Sequence, residues 1–173
     1  PSRAVVPLVR RDGLTVAQTK RLSAIAGELT TADLARFGEL LRCGGVWQGQ
    51  RLLPAEWLAQ ATRAQIQTSH PDPDWACGYG YQFWPCRHGA FRADGMYGQF
   101  VLVLPEHEAV LGITAGTHRM QDILNAVWDE LLPGFQEGAL ADDAEGVAAL
   151  QDALSALRLP LPFCGQSPAK NEG

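Results

Sequence analysis

Lysine is nearly missing from this chain of 173 residues: Lys20 and Lys170 are the only two, so arginine supplies almost all of the 14 cationic side chains. Serine hydrolases and Schiff-base enzymes often need a lysine as base or nucleophile, so the scarcity narrows the chemistry to look for. An excess of positive charge is missing too. Nineteen acidic residues leave a net charge of −5, and the cations stand singly rather than in a stripe, which excludes the electrostatic footprint of a nucleic-acid binder. No long hydrophobic run exists. Stretches such as Phe100 to Leu104 fall far short of the roughly 20 apolar residues of a membrane-spanning helix, so no membrane span is expected. The four cysteines, Cys43, Cys77, Cys86 and Cys164, are unevenly spaced and contain no Cys-x-x-Cys, which argues against a zinc ribbon and for reduced thiols. Cys77 and Cys86 flank a stretch that reads as a strand, and their disulfide state is left open. Gly-x-x-x-x-Gly-Lys-Ser/Thr, His-Glu-x-x-His and Gly-x-Ser-x-Gly are all absent, so no metal and no cofactor is expected. Asp72 and Asp74, alternating with Pro71 and Pro73, read as a solvated loop rather than a calcium site. The opening Pro1 to Pro7 carries no signal-peptide pattern and reads as a cut end, which leaves the compartment open.

What is present suits a globular chain: 46% hydrophobic residues and a length that fits one domain. Residues 1–23 mix proline, arginine and scattered aliphatics and predict an irregular lead-in. Thr30-Thr31-Ala32-Asp33 has the form of a capping box, and Leu34, Phe37, Leu40 and Leu41 follow at helical spacing until Gly44-Gly45. Val46 to Leu53 predicts a hairpin-like connection, and Pro54 suits the first position of a short helix through Trp57, Leu58 and Ala61. From Gly78 the period becomes two, with Tyr79, Tyr81 and Phe83 alternating up to Trp84-Pro85. A second strand is predicted from Phe91, broken at Gly95 and Gly98 and continuing through Leu104. A third covers Ala109 to Thr114. Short connections make these three an antiparallel meander. Met120, Ile123, Leu124, Val127, Trp128 and Leu131 predict a long helix packed on that sheet and stopped at Pro133-Gly134. The segment from Ala144 to Leu159 carries Val147, Leu150, Leu154 and Leu157 on one side, and residues 161–173 read as a disordered tail. The expected class is therefore α+β, a three-strand antiparallel meander with flanking helices. The organisation is a lead-in over 1–23, a main domain over 24–134, an added helix within 135–160 and the tail.

Four stretches carry a resemblance. They are Leu29 to Gly38, Gly44-Gly45-Val46-Trp47 through Trp57, Tyr79-Gly80-Tyr81-Gln82-Phe83-Trp84, and Ala93-Asp94-Gly95-Met96-Tyr97-Gly98-Gln99 running on to Glu106. In order and spacing they resemble the C-terminal half of serine hydrolases of the beta-lactamase and penicillin-binding-protein superfamily, nearest its class C, esterase and D-aminopeptidase branch. The resemblance covers residues 24–134. It implies a five-stranded antiparallel sheet with helices on both faces, and catalysis by Ser-x-x-Lys, Tyr-x-Asn or Ser-x-Asn, and Lys/His-Thr-Gly motifs.

The third motif falls on Ala93-Asp94-Gly95. The resemblance makes residues Ala93, Asp94, Gly95, Met96, Tyr97, Gly98 and Gln99 the substrate-binding stretch, with the Met96 backbone N–H as oxyanion donor. Ala93 stands where the family has a cation, which speaks against recognition of a penicillin carboxylate. The only Ser-x-x-Lys is Ser167-Pro168-Ala169-Lys170, in the tail and after the third motif instead of before it. No Tyr-x-Asn or Ser-x-Asn occurs. No catalytic residue can be assigned, because a serine without an adjacent base is inert. Three expectations follow from the resemblance: the chain is inactive alone, a small ester or amide is its substrate only when an N-terminal half completes the site, and an exposed apolar edge invites a homodimer. The competing reading is a non-catalytic module that binds a partner through Tyr79, Tyr81, Phe83 and Trp84.

Overall fold

The computed structural model describes residues 29–138 and 141–158. The irregular lead-in and the tail expected at the two ends lie outside those residues. The chain divides into two compact units, one through Phe135 and one from Gln136 onward.

The first unit begins with helix α1, Thr31–Arg42. The Thr30 side chain accepts a hydrogen bond from the Asp33 N–H at 3.2 Å, and the Thr30 N–H donates to the Asp33 carboxylate at 3.1 Å, so two of the free donors at the helix start are satisfied. At the other end, Gly44 N–H donates to Leu41 and Gly45 N–H to Leu40. Both glycines adopt positive φ, the geometry that closes a helix with a doubly bonded cap. Strands β1 (Val46–Trp47) and β2 (Gln50–Arg51) form a two-residue hairpin over Gln48 and Gly49, both at positive φ, whose backbone twist suits such tight loops. Helix α2 is Ala55–Ala61; Pro54 stands just before it, one residue short of the first-turn position expected.

The main sheet is antiparallel, in the order β3 (Trp84–Pro85), β4 (Phe91–Gly95), β5 (Gln99–Leu104) and β6 (Ala109–Ile113). The class is α+β, with an antiparallel meander flanked by helices. Two details differ from expectation. The stretch from Phe91 to Leu104 is not one interrupted strand but a hairpin, closed by the Gly95–Gln99 pair, so the meander has four strands. Tyr97 and Gly98 both take positive φ, and that reverses the chain. The aromatic strand expected from Gly78 shortens to Trp84–Pro85. Tyr79 pairs only with Ile66, the Tyr81 N–H donates to the Ala61 carbonyl at the end of α2, and the Gly80 N–H donates to Phe83. With its donors taken locally, that segment cannot extend the ladder.

Helix α3, Met120–Ala126, continues through a π-helical turn at Val127–Leu131 and a tighter turn at Leu132–Gly134. The apolar stripe predicted there is real: Leu124, Val127 and Trp128 are buried with Trp75, Phe100, Leu102 and Leu104. The opposite face of the sheet, with Val103 and its neighbours Phe91, Ala93 and Val110, packs with Leu41, Leu58, Ala61 and Phe83. Gly38 lets α1 approach closely, since a Cβ there would lie 2.8 Å from Val101 and collide with Val110.

The second unit contains helix α4, Ala144–Ala156. Its N-cap, Asp143, accepts from the Gly146 N–H at 2.8 Å, and the helix ends three residues before Leu159. Among the described residues, no helix is long and apolar enough to cross a membrane.

Candidate functional site

Strand alternation sends neighbouring side chains of β4 to opposite faces. Ala93 lies on the α1 side, among the residues that pack with α1 and α2. A cleft of about 380 Å³ opens there, lined by Leu34 and Phe37 from α1 and by Ala93, Gly95, Gln99 and Val101 from the β4–β5 hairpin. Four of the seven residues singled out in the sequence, Ala93, Asp94, Gly95 and Gln99, thus border one cleft. The other three form the turn beside it. Met96 points its side chain outward. Tyr97 holds positive φ, accepts a hydrogen bond on its carbonyl from the Thr117 N–H and meets the His118 ring edge-on at 4.9 Å. Gly98 is required by space, since a Cβ would lie 2.5 Å from Ile123. Gln99 donates through its side chain to the Ala115 carbonyl, which ties the turn to the segment leading into α3.

Asp94 borders the cleft, but its carboxylate serves the other face. Arg92, two residues earlier and therefore on the same side, is fully buried. Its Nε donates to Asp94 at 3.1 Å and its Nη1 to the Asp74 carbonyl at 3.1 Å and to Cys86 Sγ at 3.0 Å. Its guanidinium carbon lies 4.1 Å from the centre of the Trp75 ring, a desolvated cation–π contact. Nη2 sits 3.1 Å from the Asp94 carboxylate without the alignment of a hydrogen bond. Burial raises the Asp94 pKa above the ordinary carboxylate value, and the Arg92 charge and the nearby indoles of Trp75 and Trp84 only partly oppose that. Burial likewise pushes the Cys86 thiol up to about 12, with Arg92 as the main opposing influence, so Cys86 is an inert, protonated thiol at neutral pH. Cys77 and Cys86 are both free thiols.

Asp74 overturns its reading as part of a solvated loop. It is fully buried and accepts from the Arg87 backbone N–H at 3.1 Å, Arg87 Nη2 at 2.9 Å, Gln121 at 2.6 Å and Trp128 at 3.0 Å. Burial alone would raise its pKa, but donors from Arg87, Gln121 and Trp128 outweigh it and hold the carboxyl at about 2. The one sequence signal for this cluster was the Arg92-x-Asp94 alternation within an apolar strand, since two charges on one strand face must find partners.

No nucleophile stands at the cleft among the described residues. Ser69 is exposed, and Ser155 donates to the Asp152 carbonyl of its own helix. Ser23, both lysines and the Ser167 to Lys170 motif lie outside the described residues. No group of three or more His, Cys, Asp or Glu side chains suited to a metal ion occurs among the described residues. Of the four aromatics considered as a binding face, Phe83 is buried, Tyr79 and Trp84 pack against each other at a tilt with ring centres 4.4 Å apart, and only Tyr81, 47% exposed, faces solvent.

No protein-family model matches the chain, and no curated protein does. Among solved structures it is similar to a Bacillus anthracis protein described as a 6-aminohexanoate-dimer hydrolase, with 24% identity and a TM-score of 0.45 over 59% of this chain. The match spans 28% of that protein's length.

Proposed function

We propose that this chain is the C-terminal segment of a beta-lactamase-like serine hydrolase, an esterase, amidase or peptidase when complete, and catalytically inactive alone. The observation that carries this reading is the hairpin from Ala93 to Gln99, which borders an apolar cleft opposite α1 with no serine–base pair beside it among the described residues. On this reading the hairpin is one wall of a site, and no group that would attack a carbonyl stands beside it among the described residues. The ordered sequence motifs support the same reading. Ala93 puts a methyl group where a cation would hold a substrate carboxylate, so the completed site favours neutral esters or amides. Backbone N–H groups at the start of the hairpin turn, Met96 first, would stabilise the oxyanion of the tetrahedral intermediate once a nucleophile is supplied.

The test is a fluorophosphonate serine probe read by intact mass. The purified chain alone is expected to remain unlabelled. Coexpressed with an upstream fragment that carries Ser-x-x-Lys and Tyr-x-Asn, it should copurify with that fragment, and the fragment's serine should take the label. Stoichiometric labelling of a serine in this chain alone would overturn the proposal, as would a copurified pair that stays unlabelled.

A further inference from the structure

Tyr97 stands where glycine is the ordinary residue. Its φ of 68° lies in the left-handed region, which a bulky side chain holds only when its surroundings over-determine it. Those surroundings are one short segment, residues 115–118, which touches the β4–β5 turn three times. The Ala115 carbonyl accepts from the Gln99 side chain. The Thr117 N–H donates to the Tyr97 carbonyl at 3.1 Å. The His118 ring meets the Tyr97 ring at 4.9 Å with the two planes at 83°. The first two contacts use the backbone or a neighbouring residue, and any residue at position 97 would leave them in place. Only the third needs this side chain, and edge-to-face ring pairs of this kind are favourable beyond the area they bury. The segment is itself braced, because the Arg119 N–H donates to the Thr117 hydroxyl at 3.0 Å. Gly98 meanwhile brings the turn against Ile123 of α3 with no room for a Cβ.

We infer that Tyr97 is a positioning residue: clasped by His118, it holds the β4–β5 turn rigid, so that the N–H groups meant for an oxyanion are oriented before substrate arrives. This role rests on the reading of the turn as oxyanion donor given above. Fixing φ at Tyr97 fixes the peptide plane that joins it to Met96, and so constrains where the donors at the start of the turn point. Among the described residues, the Met96 and Tyr97 N–H groups donate to no backbone carbonyl, so no internal bond competes for them. Donors aimed in advance stabilise developing charge without reorganising during the reaction, which is where a rigid turn gains over a loose one.

Backbone amide NMR relaxation of the full chain tests the clasp without any activity. Order parameters at Met96, Tyr97 and Gly98 are expected to match the flanking strands, roughly 0.85, and to fall toward about 0.6 in His118→Ala, which leaves residue 97 in place. Tyr97→Asn tolerates the same φ but lacks the ring, and it should loosen the turn equally. In both variants the Thr117 amide should exchange about tenfold faster. Tyr97→Phe keeps the ring and should behave as the parent chain does. In the pair formed with the upstream fragment, His118→Ala and Tyr97→Asn should slow the limiting rate of fluorophosphonate labelling about tenfold and leave the half-saturating probe concentration unchanged, while Tyr97→Phe labels normally. A turn that stays as ordered in His118→Ala and Tyr97→Asn as in the parent overturns the clasp. A loosened turn with an unchanged limiting rate overturns the positioning role, since the contact would then serve stability alone. A pair that stays unlabelled even with the parent chain overturns the hydrolase reading on which the role rests, whereas the relaxation measurement decides the clasp by itself.

Discussion

The two faces of the main sheet are built on opposite principles. Toward α1 and α2 the sheet is apolar and closely approached: Phe91, Ala93, Val103 and Val110 meet helices across contacts as short as Gly38 allows. Toward α3 it is laced with charge, since Arg92 and Asp74 are fully buried among Trp75, Phe100 and Trp128. Dispersion and the exclusion of water hold the first face, where a small loss of fit is felt locally. The second depends on a polar network whose donors converge on a few buried acceptors, and removing one acceptor strands several donors at once. The candidate cleft lies on the apolar face, and the charged face fixes the hairpin that lines it. Arg92 bonds to Asp94 on the strand itself, and Asp74 ties the β3–β4 connection, through Arg87, to α3, through Gln121 and Trp128.

The sharpest way to break this contrast is Asp74→Ala. It leaves Arg87, Gln121 and Trp128 with donors aimed at a void and is expected to cost about 3–5 kcal/mol in urea unfolding, well above the effect of an apolar truncation of equal size. The pH dependence carries the same signature. The folded Asp74 pKa, about 2, lies below its unfolded value near 4. Its contribution is therefore fully present above about pH 4 and lost as pH falls toward 2, on the order of 2 kcal/mol. Asp94, raised rather than lowered, works in the opposite sense: its folded form holds a proton more readily, so its contribution declines as pH rises through the carboxylate range. Acid unfolding of the parent chain should show the Asp74 loss, and a mild variant, Asp74→Asn, should flatten it. An acid limb unchanged in Asp74→Asn would show that the carboxylate is not held as described.

Most of the apolar face was legible in the sequence. The capping box at Thr30, the paired glycines after Arg42 and the apolar run from Phe100 to Leu104 each follow from local physics, and the structure places them in a capped helix, its C-terminal turn and a strand. The charged face was not legible, because its partners come from residues far apart. Asp74 and Trp128 are 54 positions apart, and a loop with two prolines and two aspartates gives no local sign that one carboxylate turns inward. The aromatic run from Tyr79 misled for a related reason: alternation predicts a strand, but the ends of α2 and the following turn took its backbone donors. The cleft was half legible. The motif-bearing stretch was found, while the inward turn of the Asp94 carboxylate toward Arg92 required the pairing register.

On the apolar face the matching test is Gly38→Ala. Its new methyl would meet the Cγ atoms of Val101 and Val110, both β-branched and unable to swing far aside. Overpacking of this kind is expected to cost about 1–3 kcal/mol, despite the gain in helix propensity that alanine brings at an ordinary helical site. Because α1 and β5 border the cleft, the same variant should shift α1 outward. A stabilised Gly38→Ala variant, judged by the urea midpoint, would mean that α1 sits farther from the sheet than the structure has it.

The smallest effect separates the two faces most cleanly. Trp128→Phe keeps the aromatic bulk packed against Leu124 and its neighbours but removes the indole N–H that donates to Asp74 at 3.0 Å. Were the α3 face held by burial alone, the substitution would be close to neutral. Since the lost donor serves a buried carboxylate, about 1–2 kcal/mol is expected instead. Asp74 keeps Arg87 and Gln121, so its pKa should rise only in part, and acid unfolding should begin at a slightly higher pH than in the parent chain. In a double-mutant cycle with Asp74→Asn, the two losses should fall short of additive, because both act through one carboxylate. Additive losses would place Trp128 outside the network and return the α3 face to the same principle as the α1 face.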